Sequence, residues 1–146
     1  MAKVDLQRFS ADVRKAMQRA NAMAEADGHD YISTRHILLA LTMEDDGQAH
    51  DLLHRLGITA DIIPLPAPLG KPSKTPIVEQ SFAEAERLGH HVVGTLHLLL
   101  GLLADGEAMD PILESRSLSR PRMRSEIVEE LKRLPPESPQ AEDALN

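Results

Sequence analysis

The chain has 146 residues, enough for one domain of common size or two very small units, and too few for a nucleotide-hydrolysing motor with a substrate domain. Sixteen Lys and Arg against 23 Asp and Glu give a formal net charge of −7. This charge argues against a nucleic-acid backbone as the main partner, because phosphate binding requires clustered positive charge. Two Phe, one Tyr and no Trp predict an aliphatic core, and the absence of Cys excludes disulfides, thiol nucleophiles and cysteine-based zinc sites.

Helical signals begin near the start of the chain. Ser10 is a candidate N-cap for a first helix, which is predicted to end at Gly28. The apolar residues that recur at helical spacing within it are Val13, Met17, Ala20 and Ala24. Thr34 is a candidate cap for a second helix. A buried strand also fits the periodicity there, but the Leu and Ala residues favour a helix.

Further helices are predicted along the rest of the chain. Residues 49–56 predict a short helix that Gly57 closes, with Ile58 placed for the apolar contact that follows a glycine C-cap. Asp110 and Pro111 predict the N-cap and first position of another helix. The last helix is predicted from an apolar stripe made of Met123, Ile127, Leu131 and Leu134.

The sequence contains an internal repeat, because residues 28–41 recur without a gap as residues 89–102. Duplication predicts two units, residues 9–63 and 70–134, joined by the Pro-rich linker 64–72. Thr75 is predicted to cap the second unit's first helix with Pro76 at its first position, so that this helix starts late. The predicted double-repeat domain is residues 1–134, and residues 135–146 are expected to form a Pro-rich flexible tail or linker.

The repeated motifs resemble those of a known family. A Phe followed by Ser, a helix that ends in Gly-His, and a duplicated Thr-x-His element before a Leu-rich run are similar to the Clp N-terminal repeat domain of bacterial ClpA, ClpC and ClpB unfoldases. The resemblance implies an all-α fold of two pseudo-symmetric four-helix repeats packed as one compact domain. It also implies a role without catalysis, in which the domain docks substrates and adaptor proteins onto a hexameric AAA+ ring.

The resemblance further implies a groove beside the first helices of the two units, where partners bind. The positions carried over to this sequence are Leu6, Arg14, Met17, Gln18 and Asn21 in the first unit, and Thr75, Val78 and Glu79 in the second. Met17 and Val78 are at core spacing, whereas Arg14, Gln18 and Glu79 are at spacing for an exposed helix face.

The ClpC branch of this family reads phosphorylated arginine through a glutamate in the Thr-Glu-His element of each unit. In this sequence those two positions are Arg35 and Leu96. A carboxylate accepts two hydrogen bonds from a guanidinium group, whereas Arg35 repels it and Leu96 offers no acceptor. The resemblance therefore implies no phosphoarginine recognition in the ClpC manner.

Seven histidines raise the possibility of a metal site. His50 and His54 share a helix face, and His90 and His91 are adjacent, but two histidines on an exposed helix bind metal only weakly without a third ligand. No Glu stands beside the first His as in the zinc-protease motif, so no metal or other cofactor is predicted. The Thr-x-His residues, His36 and His97, are predicted to pack or hydrogen-bond in both units.

Four arginines near the start of the last helix form a basic cluster. They are Arg116, Arg120, Arg122 and Arg124. Acidic residues follow directly, and no aromatic side chains alternate with the arginines to stack on bases, so the sequence predicts a solvated basic edge that can steer acidic adaptors.

The sequence therefore predicts a cytoplasmic, monomeric and non-enzymatic recognition domain of a Clp-type unfoldase. The expected partners are adaptors, unfolded substrates and a Clp ATPase ring, with no nucleic acid. No membrane is expected, since the most apolar stretch, residues 92–104, is short and interrupted by polar residues. The alternative is a free-standing helical regulator that binds proteins without a ring, and the sequence leaves open whether the domain is part of a longer ATPase.

Overall fold

The computed structural model describes residues 6–28, 31–43, 47–63 and 77–138. These residues form seven α-helices and two 3-10 turns, at Leu6–Arg8 and Ala60–Ile62. The helices are α1 (Ala11–Ala26), α2 (Thr34–Met43), α3 (Gln48–Arg55), α4 (Ile77–Arg87), α5 (Thr95–Leu102), α6 (Gly106–Glu114) and α7 (Arg120–Arg133). Within the described residues the extended pairing is a single parallel bridge between Phe9 and Val93, so the predicted all-α fold is confirmed.

Helix α5 lies at the centre of a shared core. All eight of its residues are buried, and it contacts helices of both units, namely α1, α2, α3, α4 and α7. The rings of Phe9 and Phe82, one from each unit, pack with their centroids 5.1 Å apart. The predicted aliphatic core is thus continuous between the units, and the two repeats form one compact domain.

Several predicted helix ends are confirmed. The Ser10 hydroxyl accepts a hydrogen bond from Val13 N at 3.0 Å, which satisfies one of the free amides at the start of α1. After α3, Gly57 has a φ of +80°, and Ile58 N donates to Leu53 O at 2.8 Å. Ile58 is fully buried, so the glycine C-cap carries the apolar contact expected for it.

The predicted cap of α2 is wrong by one residue. His36 N donates to the Ser33 hydroxyl at 3.2 Å, so Ser33 is the N-cap and Thr34 is the first helical residue. The Thr34 hydroxyl instead donates to Asp105 Oδ2 at 2.6 Å, in the second unit. Adjacent Ser and Thr have nearly the same capping preference, and this long-range contact decides between them.

The predicted start of α6 is also wrong. Asp105 is the N-cap, with its side chain accepting from Ala108 N at 3.3 Å, and Pro111 lies inside the helix. Asp110 pairs with Arg120 at 2.9 Å instead of capping. Asp-Pro is typical of a helix start, but an Asp five residues earlier supplies an equally good cap and a longer apolar face.

The two units, which the resemblance implies to be pseudo-symmetric four-helix repeats, differ in their fourth element. The described part of the first unit has three α-helices and, in the fourth place, only the 3-10 turn Ala60–Ile62.

In α7 the predicted stripe is confirmed, because Met123 and Ile127 are buried while Leu131 and Leu134 pack partly buried against the core. Thr75, Pro76 and the linker 64–72 lie outside the described residues. Across the described residues no helix has both the length and the apolar character needed to cross a bilayer.

Candidate partner-binding site

A cleft with a volume of about 340 Å³ opens beside α5 and α7. Its apolar lining comes from Val92, Leu96, Leu131 and Leu134, and its polar lining from Gln48 and the three histidines His90, His91 and His97. The remaining wall is the segment that follows α7, with Pro135, Pro136 and Glu137. The cleft therefore combines an apolar surface with a few polar groups, as ligand sites usually do.

The Glu137 carboxylate accepts four hydrogen bonds at the edge of this cleft. It accepts hydrogen bonds from Thr95 N and Gln48 N, both at 2.8 Å, and from the hydroxyls of Thr95 and Ser10, the latter also at 2.8 Å. Gln48 and Thr95 are the first residues of α3 and α5, where free amides and the helix dipole favour a negative charge. Glu137 is consequently only 7% exposed although it lies outside any helix.

The rest of the segment is attached by its main chain. Gln48 Nε2 donates to Pro135 O at 2.7 Å, and Ala11 N donates to Ser138 O at 3.1 Å. Pro135, Pro136 and Ser138 are exposed. The Pro-rich sequence predicts a flexible tail or linker from residue 135 onward, whereas residues 135–138 lie against the domain. Residues 139–146 lie outside the described part.

Two histidines line the cleft as a hydrogen-bonded pair. Gly94 N donates to His97 Nδ1 at 3.0 Å, so Nδ1 of His97 is an acceptor. The ring proton of neutral His97 is therefore on Nε2, which donates to His90 Nδ1 at 2.8 Å. Burial and the neighbouring His90 lower the pKa of His97 from 6.5 to about 4. His97 is therefore neutral at physiological pH.

The predicted shared role of the Thr-x-His histidines is confirmed. In the first unit Ser33 N donates to His36 Nδ1 at 3.2 Å, which is the same contact at the start of α2 that His97 makes at the start of α5. His36 Nε2 then bonds Asp27 Oδ2 at 3.0 Å, where His97 bonds His90. The described residues hold no group of three or more His, Asp or Glu side chains placed to bind a metal ion.

Comparison with known proteins agrees with this architecture. The family model described as the Clp repeat (R) N-terminal domain matches residues 8–64 and again residues 74–145. The chain belongs to this family. It is similar to the negative regulator of genetic competence ClpC/MecB of Bacillus subtilis, with 32% identity over 136 residues that cover 84% of this chain and 17% of that protein. The chain thus spans about a sixth of the length of such relatives.

Solved structures show the same fold. The N-terminal domain of the caseinolytic protease associated chaperone ClpD from Arabidopsis thaliana superposes with a TM-score of 0.67 at 18% identity, covering 90% of this chain and 99% of that one. The Hsp104 N-terminal domain from Candida albicans superposes with a TM-score of 0.68 at 18% identity, covering 89% of this chain and 95% of that one. The Clp N fold is therefore retained at low sequence identity.

The groove residues carried over from the family differ in exposure in this Clp N domain. Arg14, Gln18 and Asn21 are exposed on α1, and Glu79 is exposed on α4. Met17 and Val78 are partly buried and pack against the core, in keeping with their spacing. The side chain of Leu6 and the whole of Thr75 lie outside the described part of the chain. None of the described groove residues lines the cleft closed by Glu137.

The two positions linked to phosphoarginine differ in their surroundings. Leu96 is fully buried and lines the cleft. Arg35 is half-buried on α2, away from that lining, and its Nε is buried without a hydrogen-bond partner. The structure therefore places them at separate sites, neither of which offers a carboxylate at that position.

The basic cluster is largely paired in this Clp N domain. Arg116 Nε donates to Gly57 O at 2.6 Å, and Arg122 pairs with Glu126 at 3.3 Å. Arg124 makes two hydrogen bonds, of 2.9 and 2.8 Å, to the buried Glu84 of α4, and these bonds hold the pKa of Glu84 below its usual range. The predicted solvated basic edge is thus only partly present, because Arg124 is bonded to Glu84 and joins α7 to α4.

Proposed function

We propose that this Clp N domain recognises substrates and adaptor proteins for a Clp-type AAA+ ring, in protein quality control and regulated proteolysis. The observation that carries the proposal is the match of both Clp repeats, over residues 8–64 and 74–145, to a domain that relatives carry within much longer ATP-dependent Clp proteins. The domain itself is non-catalytic in this proposal. Its sequence has no phosphate-binding glycine loop, so ATP hydrolysis belongs to the ring.

The partner groove is proposed to include the exposed polar residues of α1 and α4. We expect the purified chain to bind casein, a loosely folded model substrate, and the double substitution Arg14→Glu with Glu79→Lys to weaken this binding at least five-fold by reversing both charges. The double substitution Lys132→Glu with Glu129→Lys, on the exposed face of α7, is the matched control and should leave binding unchanged. Fluorescence anisotropy measures the affinity.

The proposal fails if the chain binds neither casein nor a Clp ring in cross-linking experiments. Casein binding without ring contact would favour the free-standing regulator. The intact mass of the native protein adds a direct observation, since about 16.1 kDa corresponds to the 146 residues alone and a several-fold larger mass to a longer ATPase.

Phosphoarginine is expected not to bind this chain at millimolar concentration. A guanidinium needs a carboxylate partner, and each such charge-assisted hydrogen bond contributes roughly 1.5–3 kcal/mol. Arg35 and Leu96 supply none, and the Glu137 carboxylate beside Leu96 repels a phosphate. Isothermal calorimetry with free phosphoarginine tests the expectation.

The substitution Arg35→Glu is the informative variant for this expectation, because Leu96→Glu would bury a new charge in the core. Weak binding that appears only in Arg35→Glu would support the assignment of that position. Tight binding by the unmodified chain would show that another site reads the ligand.

A further inference from the structure

The Glu137 carboxylate occupies a site that other parts of the chain have built for an anion. Its donors are two main-chain amides and two hydroxyls, and the hydroxyl residues Ser10 and Thr95 are themselves fully buried. A side chain at Gly94 would come within 2.9 Å of Glu137 Oε1, so the glycine leaves room for the carboxylate. All four donors come from residues at or next to the first positions of α1, α3 and α5.

Attachment of the segment is concentrated in this single side chain. Its neighbours Pro135, Pro136 and Ser138 are exposed. Two further hydrogen bonds, to Pro135 O and Ser138 O, involve only the segment's main chain, which any extended peptide can provide. These contacts therefore recognise an acidic side chain on an extended backbone.

The segment also covers apolar surface. Pro135 and Pro136 form a wall of the cleft whose lining also includes Leu96, Leu131 and Leu134. Departure of the segment would expose these leucines together with the four hydrogen-bond donors. An exposed apolar strip beside an unfilled anion site favours a peptide ligand over a small ion, because a small ion leaves the leucines in contact with water.

We propose that residues 135–138 are an internal ligand that closes the cleft, and that a partner peptide with an acidic residue after proline displaces them and binds in their place. The proposal rests on the proposed function to the extent that a recognition domain needs a partner. An internal competitor at high effective concentration weakens such a partner's apparent affinity. Recognition at this cleft is therefore restrained until the segment leaves.

A peptide with the sequence of residues 133–139, Arg-Leu-Pro-Pro-Glu-Ser-Pro, capped at both ends, is the probe. It is titrated into the full chain and into Glu137→Ala, with nuclear magnetic resonance following the amides of Gln48 and Thr95. We expect Glu137→Ala to bind the peptide at least ten-fold more tightly than the unmodified chain does. Glu129→Ala, which removes an exposed carboxylate of α7, should behave as the unmodified chain. A peptide with Gln in place of Glu should bind Glu137→Ala at least ten-fold more weakly.

Circular dichroism first establishes that Glu137→Ala keeps its helices. If it does not fold, Glu137→Gln takes its place, and excess peptide should shift the amides of Gln48 and Thr95 in that variant. In the unmodified chain, excess peptide should displace the signals of residues 135–138. Equal binding by the unmodified and Glu137→Ala chains, equal binding of the Glu and Gln peptides, or no binding by any chain would overturn the proposal. Inorganic phosphate that binds Glu137→Ala as tightly as the peptide would overturn it in favour of a small-anion site. These experiments contain no casein and no ring, so their failure leaves the proposed function to its own test.

Discussion

Lowering the pH from 6.5 to 4.5 is expected to reduce the free energy of unfolding by about 2–3 kcal/mol through His97 alone. The pKa of His97 is about 4 in the folded chain and 6.5 in the unfolded chain. As the pH falls below 6.5, the unfolded chain takes up a proton at this position while the folded chain does not. The stabilisation from neutral His97 is thus complete above pH 6.5 and is lost as the pH falls towards 4.

The physical cause is first the burial of His97 and second the neighbouring His90, and the described residues offer no acceptor for a second ring proton. Its Nδ1 already accepts the amide of Gly94, and His97 is only 4% exposed, so protonation would break the cap of α5 and bury a charge. The carboxylates Glu84 and Glu130 also have lowered pKa values. The stability that they contribute is lost mainly at pH values below about 4.5, outside this window.

Urea unfolding at a series of pH values measures this slope. The substitution His97→Gln is the informative variant, because a Gln amide can still accept the Gly94 amide but does not titrate. We expect it to flatten the pH dependence between 6.5 and 4.5. His91→Gln, at an exposed histidine of the same cleft, is the matched control and should keep the slope of the unmodified chain. A slope that survives in His97→Gln would contradict the assignment.

Local sequence signals predict most of the helices because each signal acts over one turn. The Ser10 hydroxyl accepts a hydrogen bond from Val13 N, and the turn at Gly57 allows Ile58 N to bond Leu53 O. The repeat predicts that His36 and His97 make the same contact. The errors arise where two local choices have similar energies. Ser33 competes with Thr34 and Asp105 with Asp110, and contacts between distant residues, such as Thr34 with Asp105, select one of each.

The candidate cleft could not be predicted from local signals. Glu137 lies 127 residues from Ser10, 89 from Gln48 and 42 from Thr95, and its own surroundings in the sequence are prolines and polar residues typical of a linker. Nothing within one turn of Glu137 indicates burial. The donors that bind Glu137 do have a sequence signal. Gly47 and Gly94 occupy the N-cap positions of α3 and α5, so no N-cap side chain accepts a hydrogen bond from the first amides of these helices.

The difference between the two units leads to the last prediction, at Gly101 in the centre of α5. The equivalent position in the first unit is Ala40, which is fully buried. A Cβ at Gly101 would lie 2.4 Å from Ser81 Oγ and 2.8 Å from Ile77 O, both in α4. Helix α4 therefore packs too closely on α5 for any side chain at this position.

We expect Gly101→Ala to lower the free energy of unfolding by about 1–2 kcal/mol. Alanine in a helix interior gains about 1 kcal/mol over glycine, and overpacking a close helix contact typically costs about 1–3 kcal/mol. The cost here lies at the upper end of that range, because one of the clashing atoms is a main-chain oxygen that cannot rotate away. Gly106→Ala is the matched control, because a Cβ there meets only the guanidinium end of Arg120, a flexible side chain that is 46% exposed. The control is expected to be neutral or stabilising in the same urea titration.

A double-substitution cycle separates the two clashes at Gly101. Ser81→Ala removes the contact at 2.4 Å and the hydrogen bond from Ser81 Oγ to Ile77 O, but it leaves the carbonyl oxygen of Ile77 in place. The loss caused by Gly101→Ala should therefore become smaller in the Ser81→Ala background without disappearing. Full rescue would show that the side chain of Ser81 alone sets the spacing of α4 and α5. A stabilising Gly101→Ala would show that α4 moves outward at little cost. In the first unit the positions equivalent to Ser81 and Gly101 are Ala20 and Ala40, both fully buried.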